Sequence, residues 1–215
     1  MNTTLKIPPS QEIDNPLLEI AMSDSPQVFV DGVWELIHTA AKSSHVAFHT
    51  PVVATVSVNA NGTAVPEARC VVLRQVDVAD RKLVFHIDWR SPKAAQIRAN
   101  QNLAFLFYDP ASKLQVRLAA LAEVRHMDEL ARERFRRSQP MSRLCYVSPY
   151  TPGSVVSLPP TQAGRPTDPE TGLENFAVVV AKAHMLDCLY LHHMGNRRAM
   201  IDYTAVEPRA RWIAP

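Results

Sequence analysis

Apolar and polar positions alternate with a period of two along much of the chain, which is the pattern of half-buried β-strands. In the clearest run, Leu114, Val116 and Leu118 fall on one face, while Gln115 and Arg117 share the other. Gln115 and Arg117 are therefore expected to face either a ligand or water. Strands are predicted at residues 47–58, 70–73, 83–87, 103–108, 114–124, 176–183 and 197–203, with a further apolar run at 185–191.

Three helices are predicted between these strands. Asp31 is placed to cap a helix that continues to about Ser43, and two more helical patterns cover residues 91–100 and 127–137. Tight turns between the strands argue against a parallel α/β sheet, which needs long crossover connections. The pattern predicts six or seven antiparallel strands in a small closed barrel, mainly β, with helices at its periphery.

The composition is that of a globular protein. Among 215 residues, 47% are hydrophobic and 20% are charged, which is enough apolar material for one core of ordinary size. Residues 1–30 are rich in proline and polar residues and are predicted to form an N-terminal arm. Residues 31–215 are predicted to form a single domain, with a proline-rich loop at about 140–172.

Charge and cysteine content indicate a cytoplasmic protein. The net charge of +2 is too small to favour a nucleic acid or an acidic membrane as partner. The sequence has no long apolar run and no apolar segment near its start, so neither a membrane span nor a secretory signal is expected. The cysteines Cys70, Cys145 and Cys188 are widely spaced, as reduced thiols are.

Basic residues lie at both ends of the second predicted strand and at the start of the helix that follows the third. Arg69 and Arg74 flank an apolar run, and Arg90, Ser91 and Lys93 stand where the helix begins. Cations and a hydroxyl at a helix start suit a phosphate group, because free backbone N–H groups and the positive end of the helix dipole lie there too. This stretch is predicted to bind a phosphate; the alternative is a solvated hairpin with ordinary surface arginines.

The spacing of Arg69 and Arg74 sets a condition on that site. Side chains alternate faces along a strand, so two residues five positions apart should point in opposite directions. Both can serve one ligand if a β-bulge intervenes or if one of them lies past the strand end. Alternatively, the ligand lies at a subunit boundary and each face serves a different part of it.

Other chemistries find little support in the sequence. It contains no GxGxxG or Walker-type loop for nucleotides and no Gly-x-Ser-x-Gly for a serine nucleophile. His192 and His193 are predicted to be turn histidines, and no metal is expected, because no third ligand stands at a suitable spacing. The arginines at 127–137 alternate with glutamates, which favours a solvated helix face.

Three separated motifs resemble a known family: ARCVVLR at 68–74, FHIDWRSPK at 85–93 and QVR at 115–117. In this order they resemble the pyridoxamine 5'-phosphate oxidase family, whose members are FMN-binding split β-barrels that assemble as homodimers. The similarity covers roughly residues 46–124 and returns more weakly in the last hairpin. The resemblance implies a split β-barrel that binds FMN at the interface of a homodimer.

The resemblance also implies the residues that contact the cofactor. Ser91 and Lys93 match the phosphate-binding corner, and Gln115 matches a residue that reaches the flavin from the partner subunit. A cofactor shared between subunits would explain the spacing of Arg69 and Arg74. The implied cofactor-binding residues are Arg69, Arg74, His86, Ile87, Arg90, Ser91, Lys93, Gln115 and Arg198.

The sequence departs from the oxidase proper in its substrate residues. Pro92 replaces an arginine, Leu189 replaces a tryptophan, and the family's Arg-x-His motif is missing at 196–198. Residues 135–142 do not reproduce the Arg/Ser pair that holds the substrate phosphate. We therefore expect an FMN-binding oxidoreductase of unassigned substrate and unassigned catalytic residues. The alternatives are a non-catalytic FMN- or haem-binding module and a true pyridoxamine or pyridoxine phosphate oxidase.

Overall fold

A single antiparallel sheet dominates the computed structural model, which describes residues 20–160 and 167–215. Its nine strands are β1 (Val52–Val58), β2 (Ala64–Cys70), β3 (Leu73–Asp77), β4 (Lys82–Asp88), β5 (Asn102–Asp109), β6 (Leu114–His126), β7 (Phe176–Tyr190), β8 (Arg197–Asp202) and β9 (Arg211–Trp212). Their order is β2-β1-β5-β6-β7-β4-β3, with β8 on β7 and β9 on β8. The mainly β, antiparallel prediction is confirmed, and the path of the sheet is not closed.

The long strand β7 is where the sheet divides. One edge of β7 pairs with β6 along nearly its whole length. The other edge pairs with β4 over residues 176–182 and with β8 over residues 185–190. The two halves of β7 therefore belong to different parts of the sheet.

Several strands differ in extent from their predictions. Residues 47–49 form a short 3-10 helix, so the first strand begins at Val52. The apolar run at 70–73 is interrupted at Val71 and Val72, which separate β2 from β3. The runs at 176–183 and 185–191 are one strand, in which His184 is an unpaired bulge residue opposite the Ala119–Ala120 step of β6. A bulge shifts the alternation of faces, which is why one strand looked like two.

Within residues 23–160 and 167–215, four α-helices lie around the sheet: α1 (Pro26–Ala40), α2 (Pro92–Ala99), α3 (Glu129–Arg137) and α4 (Pro140–Arg143). Helix α1 begins earlier than predicted, because the Ser25 hydroxyl accepts a hydrogen bond from the N–H of Val28 and a proline stands at the first helical position. The predicted cap, Asp31, lies inside α1 and accepts a hydrogen bond from Gln27. Residues 26–30 are therefore helical, and residues 1–19 of the predicted arm lie outside the described residues.

The main core lies between the inward faces of the strands and the apolar face of α1. The strands contribute fully buried aromatic and aliphatic residues, and α1 adds Phe29, Val33 and Ile37. A second, smaller cluster covers the opposite face of β4 and β7, where Val84, Phe176 and Val178 pack against α3. Side chains along β4 alternate between these two cores, so one face of β4 points into the main core and the other faces α3.

The proline-rich segment packs against this second face in its described parts. It contains α4 and two short 3-10 helices, Leu144–Tyr146 and Pro169–Asn175, while residues 161–166 lie outside the described residues. Within the described ranges no helix is long and apolar enough to cross a membrane.

Candidate functional site

Two cations meet where the end of β2 approaches the first turn of α2. Arg69 lies near the end of β2, and Lys93 is the second residue of α2. Burial lowers the pKa of the Lys93 ammonium group, and the nearby Arg69 lowers it further, although Asp88 acts in the opposite direction. A buried ammonium group beside a second positive group forms a site that favours an anion. We call Arg69, Ser91 and Lys93 the corner.

Lys93 is the uncompensated charge of the corner. Across residues 20–160 and 167–215, no hydrogen bond or ion pair engages its ammonium group. Ser91 precedes α2 and is 1% exposed, and its hydroxyl donates a hydrogen bond to the carbonyl of Asp88. That bond fixes the turn at which α2 begins, so the positive end of the helix dipole lies beside Lys93.

Arg90 is engaged by other groups of the protein. Its Nε and Nη2 donate to the two carboxylate oxygens of Asp88 at 3.1 and 2.7 Å, and its Nη1 donates to the carbonyl of Ser148 at 3.0 Å. A bidentate pair with a buried carboxylate is a strong interaction. Arg90 thus joins the corner to the proline-rich segment, and its predicted contact with a phosphate stays a prediction.

A second group of basic residues lines a cleft of about 230 Å³ between β3, β4 and α3. Arg74 reaches it because the β3–β4 register shifts between Leu73 and Gln75, so that Arg74 is the bulge residue. The bulge turns Arg74 toward the cleft while Arg69 lies at the corner on another strand, so a single ligand for both arginines stays a prediction. We call this space the cleft; it is lined by Arg74, His86, Arg134, Arg137, Ser138, Gln139 and Ser142.

His86 is held neutral in the cleft. Burial, followed by the charges of Arg74 and Arg134, lowers the pKa of His86 to about 3. Its buried Nε2 has no hydrogen-bond partner among the described residues, and neither has Nε of Arg134. Buried polar atoms of this kind are rare without a partner, so a ligand atom is a natural occupant. The corner and the cleft are close to each other. The charge of Asp88 raises the pKa of Lys93 in the corner and also that of Tyr146. The charge of Arg74 in the cleft lowers the pKa of the same Tyr146.

Ile87 lies apart from both groups. Its side chain is 2% exposed and belongs to the main core. The β3–β4 ladder stops at the pair Leu73–Phe85, so β3 does not pair with His86 or Ile87. Any contact of Ile87 with a ligand would therefore involve its backbone.

Gln115 and Arg198 lie beside an ion cluster formed by residues of β6, β7 and β8. Arg117 and Arg198 both bind the carboxylate of Asp187, which is 3% exposed. Burial alone would raise the pKa of Asp187, but hydrogen bonds from Arg198 and Arg117 outweigh burial and lower it. Within the described chain, neither Gln115 nor Arg198 touches the corner or the cleft through a recorded hydrogen bond.

The sequence did not predict the cleft residues that come from α3 and the segment after it, among them Arg134 and Ser138. The arginines at 127–137 were predicted to lie on a solvated helix face, and no Arg/Ser pair was recognised at 135–142. The structure places Arg134 and Ser138 at the cleft beside Arg74. Their spacing of four residues, one helical turn, was the available signal, because such residues share a face. Arg136 and Arg137 do form exposed ion pairs with glutamates of the same helix.

The described residues contain no group of three His, Cys, Asp or Glu side chains that could hold a metal ion. His192 packs against Tyr190 and His193 in the turn before β8.

Residues 32–126, which include the corner and, from the cleft, Arg74 and His86, match the family model described as pyridoxamine 5'-phosphate oxidase, FMN-binding domain. This segment, less than half of the chain, is similar to the FMN-binding domain of that family. The resemblance read from the three motifs is thereby confirmed. No curated protein matches the sequence significantly.

Solved structures confirm the split-barrel fold. A pyridoxamine 5'-phosphate oxidase-related, FMN-binding protein from Nostoc punctiforme has a TM-score of 0.66 at 23% identity, over 86% of this chain and 96% of that one. PhzG from Burkholderia lata, in complex with tetrahydrophenazine-1-carboxylic acid, has a TM-score of 0.63 at 15% identity, over 95% and 98% of the two chains. At these identities the likeness establishes the fold of the family.

Proposed function

We propose that the protein is an FMN-dependent oxidoreductase in which the corner holds the phosphate of the cofactor. The observation that carries this proposal is Lys93, a half-buried ammonium group beside Arg69 that forms no ion pair within the described chain. A phosphate monoester carries a charge of roughly −1.5 to −2 near neutral pH and accepts several hydrogen bonds. Lys93, Arg69 and the start of α2 together match that charge.

The cleft suits the acidic group of a substrate. Arg74 and Arg134 supply positive charge, while the neutral His86 offers a hydrogen-bonding nitrogen without adding a third full charge. When it is bound, FMN would supply two-electron redox chemistry at its ring. The residues of this chain would bind and orient the substrate against that ring and keep water from the buried face of β4.

A second copy of the chain is proposed to cover the outer face of β1, β5 and β6. Leu106, Tyr108 and Leu121 on this face are between 38% and 50% exposed, and they surround small residues of neighbouring strands. Gln115 lies on the same face, opposite Tyr108 in the ladder. A homodimer through this face would bury the apolar side chains, and Gln115 and Arg198 could then reach the cofactor held by the partner.

The three cysteines, Cys70, Cys145 and Cys188, are free thiols. Free thiols suit a reducing compartment, and we place the protein in the cytoplasm on that basis.

The test is to compare FMN with riboflavin, which lacks the phosphate. We expect the purified protein to carry FMN, identified by its absorption spectrum and by mass. Lys93→Ala should weaken FMN by about 1.5–3 kcal/mol, the range for a lost charged hydrogen bond, and should leave riboflavin binding nearly unchanged. Lys42→Ala, which removes an exposed lysine after α1, is the matched control. Equal effects of the two variants on FMN would contradict the assignment of the corner.

Pyridoxamine or pyridoxine phosphate oxidation is the second candidate function. It is favoured by the cleft, where Arg74, Arg134 and Ser138 offer a phosphate-sized group two cations and a hydroxyl. An aromatic carboxylic acid, the class of compound held by PhzG, would suit the same cations. Formation of pyridoxal phosphate by the FMN-loaded protein would support the second candidate. Turnover of other acids, with no turnover of pyridoxamine or pyridoxine phosphate, would exclude it.

A further inference from the structure

Arg69, the arginine of the corner, has most of its donors occupied by the protein itself. Its Nη1 donates to the hydroxyl of Thr55 and, at 3.3 Å, to the carbonyl of Glu67. Its Nη2 donates to the carboxylate of Glu67 at 2.9 Å and to the side-chain oxygen of Gln96 at 3.1 Å. A guanidinium group has five N–H donors, so only the N–H on Nε is left without a recorded partner in the described residues.

Glu67 is held in this position from two sides. One carboxylate oxygen binds Arg69, and the other accepts a hydrogen bond from the side-chain nitrogen of Gln96 at 2.8 Å. Gln96 is 9% exposed, and its oxygen also accepts a hydrogen bond from Thr55 at 2.6 Å. Hydrogen bonds from Gln96 and then Ser57 lower the pKa of Glu67, burial opposes them, and Arg69 lowers the pKa further, so the group is ionised at neutral pH.

Glu67 neutralises only one of the two cations. The charged groups that act on the pKa of Lys93 are Arg69 and Asp88, and Glu67 is not among them. The corner therefore combines an arginine paired with an internal carboxylate and a lysine that has no such pair. An incoming anion can reach Lys93 directly, but it must compete with Glu67 for the Nη groups of Arg69.

We propose that Glu67 is an internal competitor of the phosphate, and that this competition determines which anions the corner accepts. This inference rests on the proposed function, in which the corner binds the FMN phosphate. A carboxylate and a phosphate accept the same bidentate pattern of hydrogen bonds from arginine. A dianion that also engages Lys93 and the start of α2 can displace Glu67 from Arg69. A monoanion gains less from Lys93 and leaves the Glu67–Arg69 pair intact.

Glu67→Gln is the decisive variant, because it removes the charge and keeps the size and the hydrogen-bonding oxygen. We expect the variant to bind FMN and inorganic phosphate about three- to tenfold more tightly, because the ion pair between Glu67 and Arg69 no longer competes with the anion. Riboflavin affinity should not change. Glu123→Gln is the control, since Glu123 is an exposed carboxylate paired with Arg125 on β6 and its loss changes the net charge equally.

Calorimetric titration of FMN, riboflavin and inorganic phosphate at fixed ionic strength separates the outcomes, with thermal unfolding as the check on folding. Weaker FMN and phosphate binding in Glu67→Gln would overturn the inference, because Glu67 would then be positioning Arg69 for the ligand. Equal tightening by Glu67→Gln and Glu123→Gln would also overturn it. If the natural protein binds phosphate but not FMN, the proposed function fails, and the phosphate titration alone decides the role of Glu67. If it binds neither, both proposals fail.

Discussion

His86 lies in surroundings that disfavour its protonated form. Its ring packs edge-on against Phe176, and Arg74 and Arg134 oppose a positive charge on it. The ring is therefore neutral at physiological pH, with a buried nitrogen available to a ligand. A neutral histidine between two arginines can bind an anion without the cost of confining three like charges in one cleft.

We expect His86 to make the protein less stable in mild acid. The pKa of His86 falls from 6.5 to about 3 on folding, so between these values the unfolded chain takes up a proton that the folded protein does not. The contribution is fully present above about pH 6.5 and is lost as the pH falls toward 3, with a slope that approaches 1.4 kcal/mol per pH unit.

Urea denaturation over this pH range measures the effect, and His86→Gln should flatten the dependence. A resonance of His86 that titrates near pH 6.5 in the folded protein would contradict the prediction. Added phosphate should raise the pKa of His86 if the cleft binds anions.

Local sequence features predicted the position of the corner better than they predicted the hydrogen-bond partners of the arginines. A serine, a proline and a lysine at a helix start are visible in the sequence, and α2 begins there. Arg90 and Arg198 have partners at Ser148 and Asp187, which only the folded chain brings close. The pairing of Arg69 with Gln96 likewise depends on how α2 lies across β1 and β2.

At the scale of elements, the segment after α4 is attached to the corner at two points. Arg90 holds the carbonyl of Ser148, and Gly153, with a φ of +88°, passes close to the ring of Pro92. A Cβ at Gly153 would lie 3.4 Å from that ring, in a backbone region that other residues rarely adopt. Residues 148–153 therefore lie beside the start of α2.

Arg90→Ala should release this segment. The variant loses the hydrogen bond to Ser148 and leaves Asp88 without its ion pair, which should lower the unfolding free energy by about 1–3 kcal/mol. Chymotrypsin should cut faster at the exposed Tyr150.

Arg90→Lys should not restore protection, because lysine cannot bind Asp88 and Ser148 with the same planar geometry. Arg98→Ala, which removes only the contact of a guanidinium group with the Trp89 ring, is the control. Equal cleavage rates in Arg90→Ala and the natural protein would contradict the attachment.

Element boundaries were harder to predict than element types. The alternation at 114–124 identified β6 because one face of that strand is buried along its length. The bulge at His184 and the break at Val71 and Val72 were not predictable, since both arise from pairing with strands far away in the chain. The role of Arg134 and Ser138 was hidden because the charge pattern of α3 is that of a solvated helix.

At the scale of the whole molecule, the outer face of β1, β5 and β6 leaves large apolar side chains in contact with solvent. Isolated apolar residues are common on protein surfaces, but a continuous group across adjacent strands is typical of an interface. The ion cluster of Asp187, Arg117 and Arg198 borders the same face, as the polar rim of an interface would.

Leu106→Glu together with Leu121→Glu should abolish the proposed dimer, because carboxylates facing each other across an apolar interface repel and lose their hydration. FMN affinity should fall in parallel if Gln115 of the partner subunit contributes to the site. Sedimentation and FMN titration measure both effects.

Val206→Glu, at a fully exposed residue, is the control. Identical sedimentation of the double variant and the control would contradict the proposed interface.

Strand β7 has a consequence for how the chain reaches its folded state. Both β6 and β4 need β7 as a neighbour, yet β7 begins at Phe176, some way after both have been synthesised. A nascent chain that ends before this point presents two long unpaired edges, which invite pairing with other chains. Contacts over such sequence separations also slow folding. Ribosome-bound intermediates of this protein should therefore depend on chaperones until about the last fifth of the chain has emerged.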